Sequence, residues 1–303
     1  MSFVIAHLSD AHLSPAPFPP LGEFRLKRFM GFVNWKRSRE RINDAPMLAR
    51  LVADLRAQRP DHVAMTGDVV NLALEAEFRR AVEWLKTLGD RADVSFTPGN
   101  HDAYVRQATP FLHNSVAPWT TGDGEPENLR GVYPYLRVRG EVALIGLCSG
   151  VPTAPLLASG RLGKAQLAAF AKLLKATGDR GLARVVLIHH PPLVDSPGRL
   201  LRGLDDAEAF EAVIAECGAE AILHGHTHRR MVHHLPSRAS RLANGRVPVI
   251  GVSSCSAGVS DALHRAAYYL VRLERAGAHW RISARARGPL KGSEIGEQEP
   301  LEL

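Results

Sequence analysis

Five apolar, β-prone runs in this chain end in the same way. The hydrophobic residues stop, and a short polar block rich in His, Asp or Asn follows. Residues 3–9 lead into Asp10-Ala11-His12, residues 62–66 into Gly67-Asp68, and residues 93–97 into Pro98-Gly99-Asn100-His101-Asp102. Residues 184–188 lead into His189-His190-Pro191, and residues 220–223 into His224-Gly225-His226-Thr227-His228. Short apolar runs bounded by Gly and Pro read as buried strands. Five strands that all carry metal-ligating side chains at their carboxyl ends call for a fold that lines those ends up along one edge.

The segments between the runs complete that fold. Leu48, Leu51, Val52 and Leu55 recur at helical spacing behind Asn43 or Asp44 as cap and Pro46 in the first turn. Phe78, Val82 and Leu85 form the inner face of a helix over 75–88. Alternation of strand and helix in the first half predicts a parallel layer. The second half is strand-rich, with paired strands at 133–138 and 142–147, at 231–235 and 247–252, and a closing hairpin at 267–274 and 279–285. The reading is an α/β (α+β) class: a four-layer αββα sandwich of two mixed β-sheets flanked by helices. Residues 1–287 form one domain with a helical insertion at about 21–42, and the polar residues 288–303 form a disordered or loosely attached tail.

Composition narrows the setting. The chain shows no basic leader with an apolar stretch and no run long enough to span a bilayer. Cys148, Cys217 and Cys255 are scattered and odd in number, as reduced core residues are. The expected location is cytoplasmic. The net charge of +7 favours anionic partners, although a solvated Arg-rich surface accounts for it without any. Basic residues are not interleaved with aromatics as in a single-strand groove, so nucleic acid is not supported as a partner.

Residues 24–41, from Phe24 to Arg41, stand apart. Leu26, Phe29, Met30 and Val33 fall at i, i+3, i+4 and i+7, with Phe32 and Trp35 widening the stripe and seven cations around it. Such a helix lies on an anionic membrane surface, making the protein a peripheral one, or it packs its stripe on the domain as a cap.

The polar blocks contain no thiolate, so they are not a structural zinc knot. Asp10, His12 and His228 can bind one cation, Asn100, His189 and His226 a second, and Asp68 can bridge them. Mixed carboxylate, amide and imidazole donors suit Mn, Fe, Zn or Mg with positions open to water and substrate. Two ions about 4 Å apart can lower the pKa of a shared water and clamp a phosphoryl group for in-line attack. His101 can hold or protonate the leaving oxygen, with Asp102 orienting it. His190 neighbours His189, and adjacent strand residues point oppositely, so one of the two ligates. His224 reads as supporting or core, and His233 and His234 as structural. Tyr104 and Asn71, just beyond ligands, are weak candidates for substrate contact, and Arg229 and Arg230 read as surface charge.

These blocks, in this order over roughly residues 3–255, resemble the calcineurin-like metallophosphoesterase superfamily, and the layout resembles its bacterial cyclic-nucleotide phosphodiesterase members. The resemblance implies two mixed sheets flanked by helices. It implies two divalent or trivalent transition-metal ions, Mn or Fe first, with Asp10, His12 and His228 on one, Asn100, His189 and His226 on the other and Asp68 between. It also implies a leaving-group role for His101, and it selects His189 over His190.

Three functions follow. The first is a phosphodiesterase cleaving a P–O ester of a small, nucleotide-like substrate, with a phosphomonoesterase as its near variant. The second is a pyrophosphatase acting on a lipid precursor of the UDP-diacylglucosamine type at the membrane surface. The third is a metal-dependent scaffold without turnover, which the retained ligands and His101 disfavour.

Overall fold

The structure, a computed structural model, describes residues 2–39, 42–124, 131–195, 199–258, 262–290 and 294–303. Its strands are β1 (Ser2–Leu8), β2 (His62–Met65), β3 (Val94–Phe96), β4 (Tyr135–Arg139), β5 (Val142–Gly146), β6 (Ala183–Leu187), β7 (Ala221–His224), β8 (Met231–Pro236), β9 (Arg246–Gly251), β10 (Tyr268–Ala276), β11 (His279–Pro289) and β12 (Ile295–Glu297). The main helices are α1 (Leu26–Asn34), α2 (Ala45–Ala57), α3 (Glu75–Leu88), α4 (Thr109–Thr120), α5 (Gly163–Asp179) and α6 (Ala207–Cys217).

Two mixed sheets of six strands each result. One has the order β12-β11-β10-β1-β2-β3 and the other β4-β5-β6-β7-β9-β8. Residue parity explains how they stack. Side chains alternate along a strand, so each sheet presents two apolar faces. Phe3, Ile5, Tyr269 and Val271 of the first sheet meet Val185, Leu187, Leu223 and Ile250 of the second between the sheets. The intervening residues Ala6, Leu8, Val63 and Met65 take Leu51, Leu55, Phe78 and Leu112 from α2, α3 and α4. On the far side, Val186, Ile188 and Ile222 take Phe170 and Leu174 from α5 and Phe210 and Ile214 from α6. The layers therefore run helix, sheet, sheet, helix. Each fully buried Leu or Phe adds about 1.5–3 kcal/mol to that stacking.

Within the sheets, β1, β2 and β3 run parallel, as do β5, β6, β7 and β9. The carboxyl ends of both parallel sets open on the same edge of the sandwich, which carries every polar block of the sequence. Asp44 caps α2 by accepting from the Met47 amide at 2.8 Å, with Pro46 in the first turn.

Four features depart from the sequence reading. The closing hairpin joins the first sheet, β10 pairing antiparallel with β1. The polar tail is not loose: β12 pairs with β11, and Gln298 and Leu301 are buried. Helix α4 was not anticipated, because its internal Pro118 and weak amphipathicity hide it. The stripe of α1 is divided between the two readings: Leu26, Phe29 and Met30 are exposed, whereas Phe32 and Trp35 pack with Ala16, Leu72 and Leu74, and the cationic Arg28 is buried. That helix continues as a π-helical turn, Trp35–Arg39. Arg41, most of the polar loop expected at 122–128 and residues 291–293 of the tail lie outside the described residues.

Candidate metal centre

The strand-end loops are tied together by backbone hydrogen bonds. The Asp10 amide donates to the Gly67 carbonyl at 2.9 Å, the His12 amide to the Asp68 carbonyl at 3.0 Å, and the Gly225 amide to the His189 carbonyl at 3.1 Å. Close approach demands glycine at two places. A Cβ on Gly99 would overlap the Asp68 carboxylate, and one on Gly225 would overlap the Ser9 hydroxyl and Asp10 carboxylate. Five of the expected ligands, Asp10, His12, Asp68, His226 and His228, have left-handed backbone with φ between 38° and 69°. Asp, Asn and His are the residue types that enter this region most readily after glycine.

Two donor clusters emerge. In the first, Asp10 Oδ1 lies 3.2 Å from His228 Nε2, and His12 Nε2 lies 3.3 Å from the same nitrogen. In the second, Asn100 Oδ1 lies 2.9 Å from His226 Nδ1 and 3.2 Å from His189 Nε2. Asp68 Oδ2 stands between them, 3.8 Å from His12 Nε2 and 3.3 Å from His189 Nε2. Carbonyls turn the imidazoles inward: His189 Nδ1 donates to the Thr66 carbonyl at 2.6 Å and His12 Nδ1 to that of Val70 at 3.2 Å. Each thereby directs its Nε2 lone pair into the site, the usual support of a metal-ligating histidine. Asp10 Oδ1 is buried with no hydrogen-bond partner. Converging lone pairs, an orphaned carboxylate oxygen and the absence of sulfur fit two hard or borderline cations.

Electrostatics agree. Burial acts to raise the Asp10 and Asp68 carboxyls, but the facing His228 and His189 outweigh it and hold both below the usual carboxylate range. Burial, reinforced by His189, lowers His226 to about 3. Burial acts to lower His189 too, but Asp68 beside it dominates and raises it to about 9. Carboxylate and neutral imidazole are the ligand forms, so a cation binding at His189 competes with the proton there.

The other predicted residues fall as follows. His101 sits beside the clusters, its amide on Asp68 Oδ1 at 2.8 Å and its Nδ1 2.6 Å from the Asn71 carbonyl oxygen. That carbonyl orients the ring, which corrects the expectation for Asp102. The buried Asp102 carboxylate instead accepts from the amides of Asp68, Val69, Val70 and Gly99 at 2.7–3.3 Å, holding the loop that presents Asp68. Asn71 is buried with its amide on the Leu13 carbonyl, so it supports His101 rather than touching substrate. His190 lies close enough to His189 and His226 to form a third donor group with them, but its Nδ1 is 2.8 Å from Ser149 Oγ and its Nε2 3.1 Å from the Ala158 carbonyl, so both ring nitrogens already have hydrogen-bond partners.

The centre floors a cleft of about 650 Å³. One wall is α1 and the π-helical turn after it, with Phe29, Met30, Val33 and Arg37. The other carries Leu156, Leu157 and Arg202, and Tyr104 lies beneath. The sequence reading missed Arg28. Its buried guanidinium donates to the Leu72, Ala73 and Glu23 carbonyls and anchors α1 to the body. Nothing in the sequence sets it apart from the neighbouring cations Arg25 and Lys27. No described helix is long and apolar enough to cross a membrane.

Residues 3–230 match the family model of the calcineurin-like phosphoesterases. Solved structures share the fold. A dimetal phosphatase from Danio rerio superposes with a TM-score of 0.59 at 15% identity, over 97% of this chain and 98% of that one. A purple acid phosphatase from yellow lupin seeds gives 0.60 at 12%, over 98% of this chain and 53% of that one. A 5′-nucleotidase precursor from Thermus thermophilus gives 0.51 at 14%, over 94% and 54%. No curated protein sequence matches significantly. Together with the donor clusters, the family match supports a metal-dependent phosphoester hydrolase.

Proposed function

The chain belongs to the calcineurin-like phosphoesterase family, and from that premise we propose that it is a phosphodiesterase acting on a small, nucleotide-like ester. The observation that carries this reading is the pair of donor clusters sharing Asp68 at the bottom of a cleft with apolar walls. Asp10, His12, Asp68 and His228 would hold one ion and Asp68, Asn100, His189 and His226 the other, with Mn or Fe preferred over Zn or Mg. When bound, such a pair lowers the pKa of a water and neutralises charge on the phosphoryl oxygens.

The chain's own groups do the rest. His101 stands at the edge of the centre, where it can donate a proton to the departing oxygen. Arg37 and Arg202 line the cleft and meet the remaining phosphate charge. A diester carries one negative charge and two organic arms, and Phe29, Met30, Leu156 and Leu157 offer apolar surface to those arms. A monoester would leave that surface uncovered. The comparison that decides is turnover of bis(p-nitrophenyl) phosphate against p-nitrophenyl phosphate by Mn-loaded protein. Preference for the diester supports the reading, and preference for the monoester replaces it with a phosphomonoesterase.

A second reading rests on the exposure of Leu26, Phe29 and Met30 on α1, of Leu21 in the turn before it, and of Leu156 and Leu201 near the other wall. Apolar groups around a basic opening suit a lipid-linked pyrophosphate of the UDP-diacylglucosamine type, taken by a cytoplasmic protein that attaches to anionic membrane. Sedimentation with anionic vesicles tests it: Leu21→Asp/Leu26→Asp should abolish co-sedimentation, and a parent chain that stays in the supernatant rules the reading out.

A further inference from the structure

His101 Nδ1 donates to the Asn71 carbonyl at 2.6 Å, and the ring of His12 meets it edge-on with centroids 5.0 Å apart. Its face is covered by Tyr104, whose ring stacks on His101 with centroids 5.4 Å apart and an interplanar angle of 8°. Tyr104 is itself clamped by α1. Its hydroxyl donates to the Lys27 carbonyl at 3.3 Å, and Lys27 Nζ lies 4.4 Å from its ring centroid. Gly31 packs so tightly on the phenol that a Cβ there would overlap the hydroxyl. Lys27 Nζ also donates to the Tyr104 carbonyl at 2.8 Å and to the Thr153 carbonyl at 2.7 Å. Thr153 begins the loop that supplies Leu156 and Leu157 to the opposite wall.

We propose that Tyr104 is a positioning residue for His101, and that Lys27 braces it by tying α1, Tyr104 and the loop of the opposite wall into one unit. The proposal rests on His101 serving the leaving group. It assigns to α1 a second task beyond lining the cleft, that of keeping the proton donor aimed. Proton transfer depends steeply on direction, and a small misplacement of a catalytic group costs up to about 10²-fold. The loss must also depend on how much the leaving group needs a proton. Phenolates as acidic as p-nitrophenolate depart without much help, whereas alkoxides do not.

The test measures kcat and KM of the metal-loaded full chain on a series of phosphodiesters whose leaving groups span alkyl alcohols to p-nitrophenol. Tyr104→Phe keeps the stacked face but gives up the hydroxyl's bond to the Lys27 carbonyl, so it should lose less kcat on the alkyl esters than Tyr104→Leu. Tyr104→Leu keeps apolar volume but loses the plane. It should lose about tenfold in kcat on the alkyl esters and less than threefold on the p-nitrophenyl ester, with KM and bound metal unchanged. Lys27→Met should move kcat in the same direction by a smaller factor. Equal losses across the series, or a change confined to KM, would overturn the assignment and leave Tyr104 as packing. His101→Gln separates the two levels. If it shows the leaving-group trend and Tyr104→Leu does not, only the positioning role fails. If the parent chain turns over none of the esters, the phosphodiesterase reading fails and takes this role with it.

Discussion

The floor and the rim of the cleft are built by opposite rules. The floor is buried and hydrogen-bonded from every side: Asp10, His12, Asp68 and His189 are fully or almost fully inaccessible, and four amides fix the single carboxylate of Asp102. The rim leaves Leu26 69% and Leu156 89% exposed and holds α1 through few anchors, chiefly Arg28, Lys27 and the Trp35 cluster. The difference teaches where chemistry and selectivity reside. The floor has no freedom to adapt, and the rim has no reason to be apolar except what it meets.

The sharpest way to break this division is to remove a floor ligand. Asp68→Ala or Asn100→Ala should lower kcat/KM on the order of 10³-fold, because several kcal/mol of charge stabilisation go with the ion at about 1.4 kcal/mol per decade. Metal content by elemental analysis should fall in the same variants. Retained turnover with full metal content would refute the ligand assignment. His101→Gln comes next, with a loss of about 10²-fold and no loss of metal. A parallel loss of metal would place His101 among the ligands instead.

The candidate positions behind both predictions were readable in sequence, because each strand end concentrates its donors in two to five consecutive residues. The αββα layering was legible for a related reason, since parity along a strand is a local property. The orientation of α1 was not. A helical stripe shows which residues share a side and is silent about where the body lies. Here the body lies on the Arg28 side, because the loop ending at Ala73 presents carbonyls that need a donor. Asp102 was misassigned likewise, since adjacency to His101 in sequence does not reveal amides that come from residues 68–70.

The rim prediction follows from that anchor. Arg28→Met leaves several buried carbonyls without donors at about 1–3 kcal/mol each. Amides of α1 should exchange faster with solvent while metal stoichiometry stays intact. Protection of α1 equal to that of the parent would show that Arg28 is not its anchor. The smallest effect concerns the strand beneath the floor. Burial, helped by Arg137, lowers His62 at the start of β2 to about 3. The unfolded chain takes up a proton near pH 6.5 that the folded chain refuses, so stability present above that pH drains as pH falls. The slope is at most about 1.4 kcal/mol per pH unit between 6.5 and 3. Urea midpoints of the metal-free protein at pH 7 and 5.5 carry it together with the same-sign contributions of His7 and His224, and His62→Gln should reduce the difference by its one share.

The left-handed ligands carry a cost that the folded body must cover. A non-glycine residue held in that region is disfavoured by about 1–3 kcal/mol, and five of them together rival the 5–15 kcal/mol that typically separates a native domain from its unfolded chain. The centre is thus a spring compressed by the surrounding sheets, and activity and robustness pull against each other there. Glycine at such a position relaxes the backbone while deleting the ligand and the partner of Asp10; alanine deletes both without relaxing it. At His228, φ 51°, the metal-free His228→Gly should therefore be about 1 kcal/mol more stable than the metal-free His228→Ala. A metal-free His228→Gly no more stable than His228→Ala would show that the spring is not compressed.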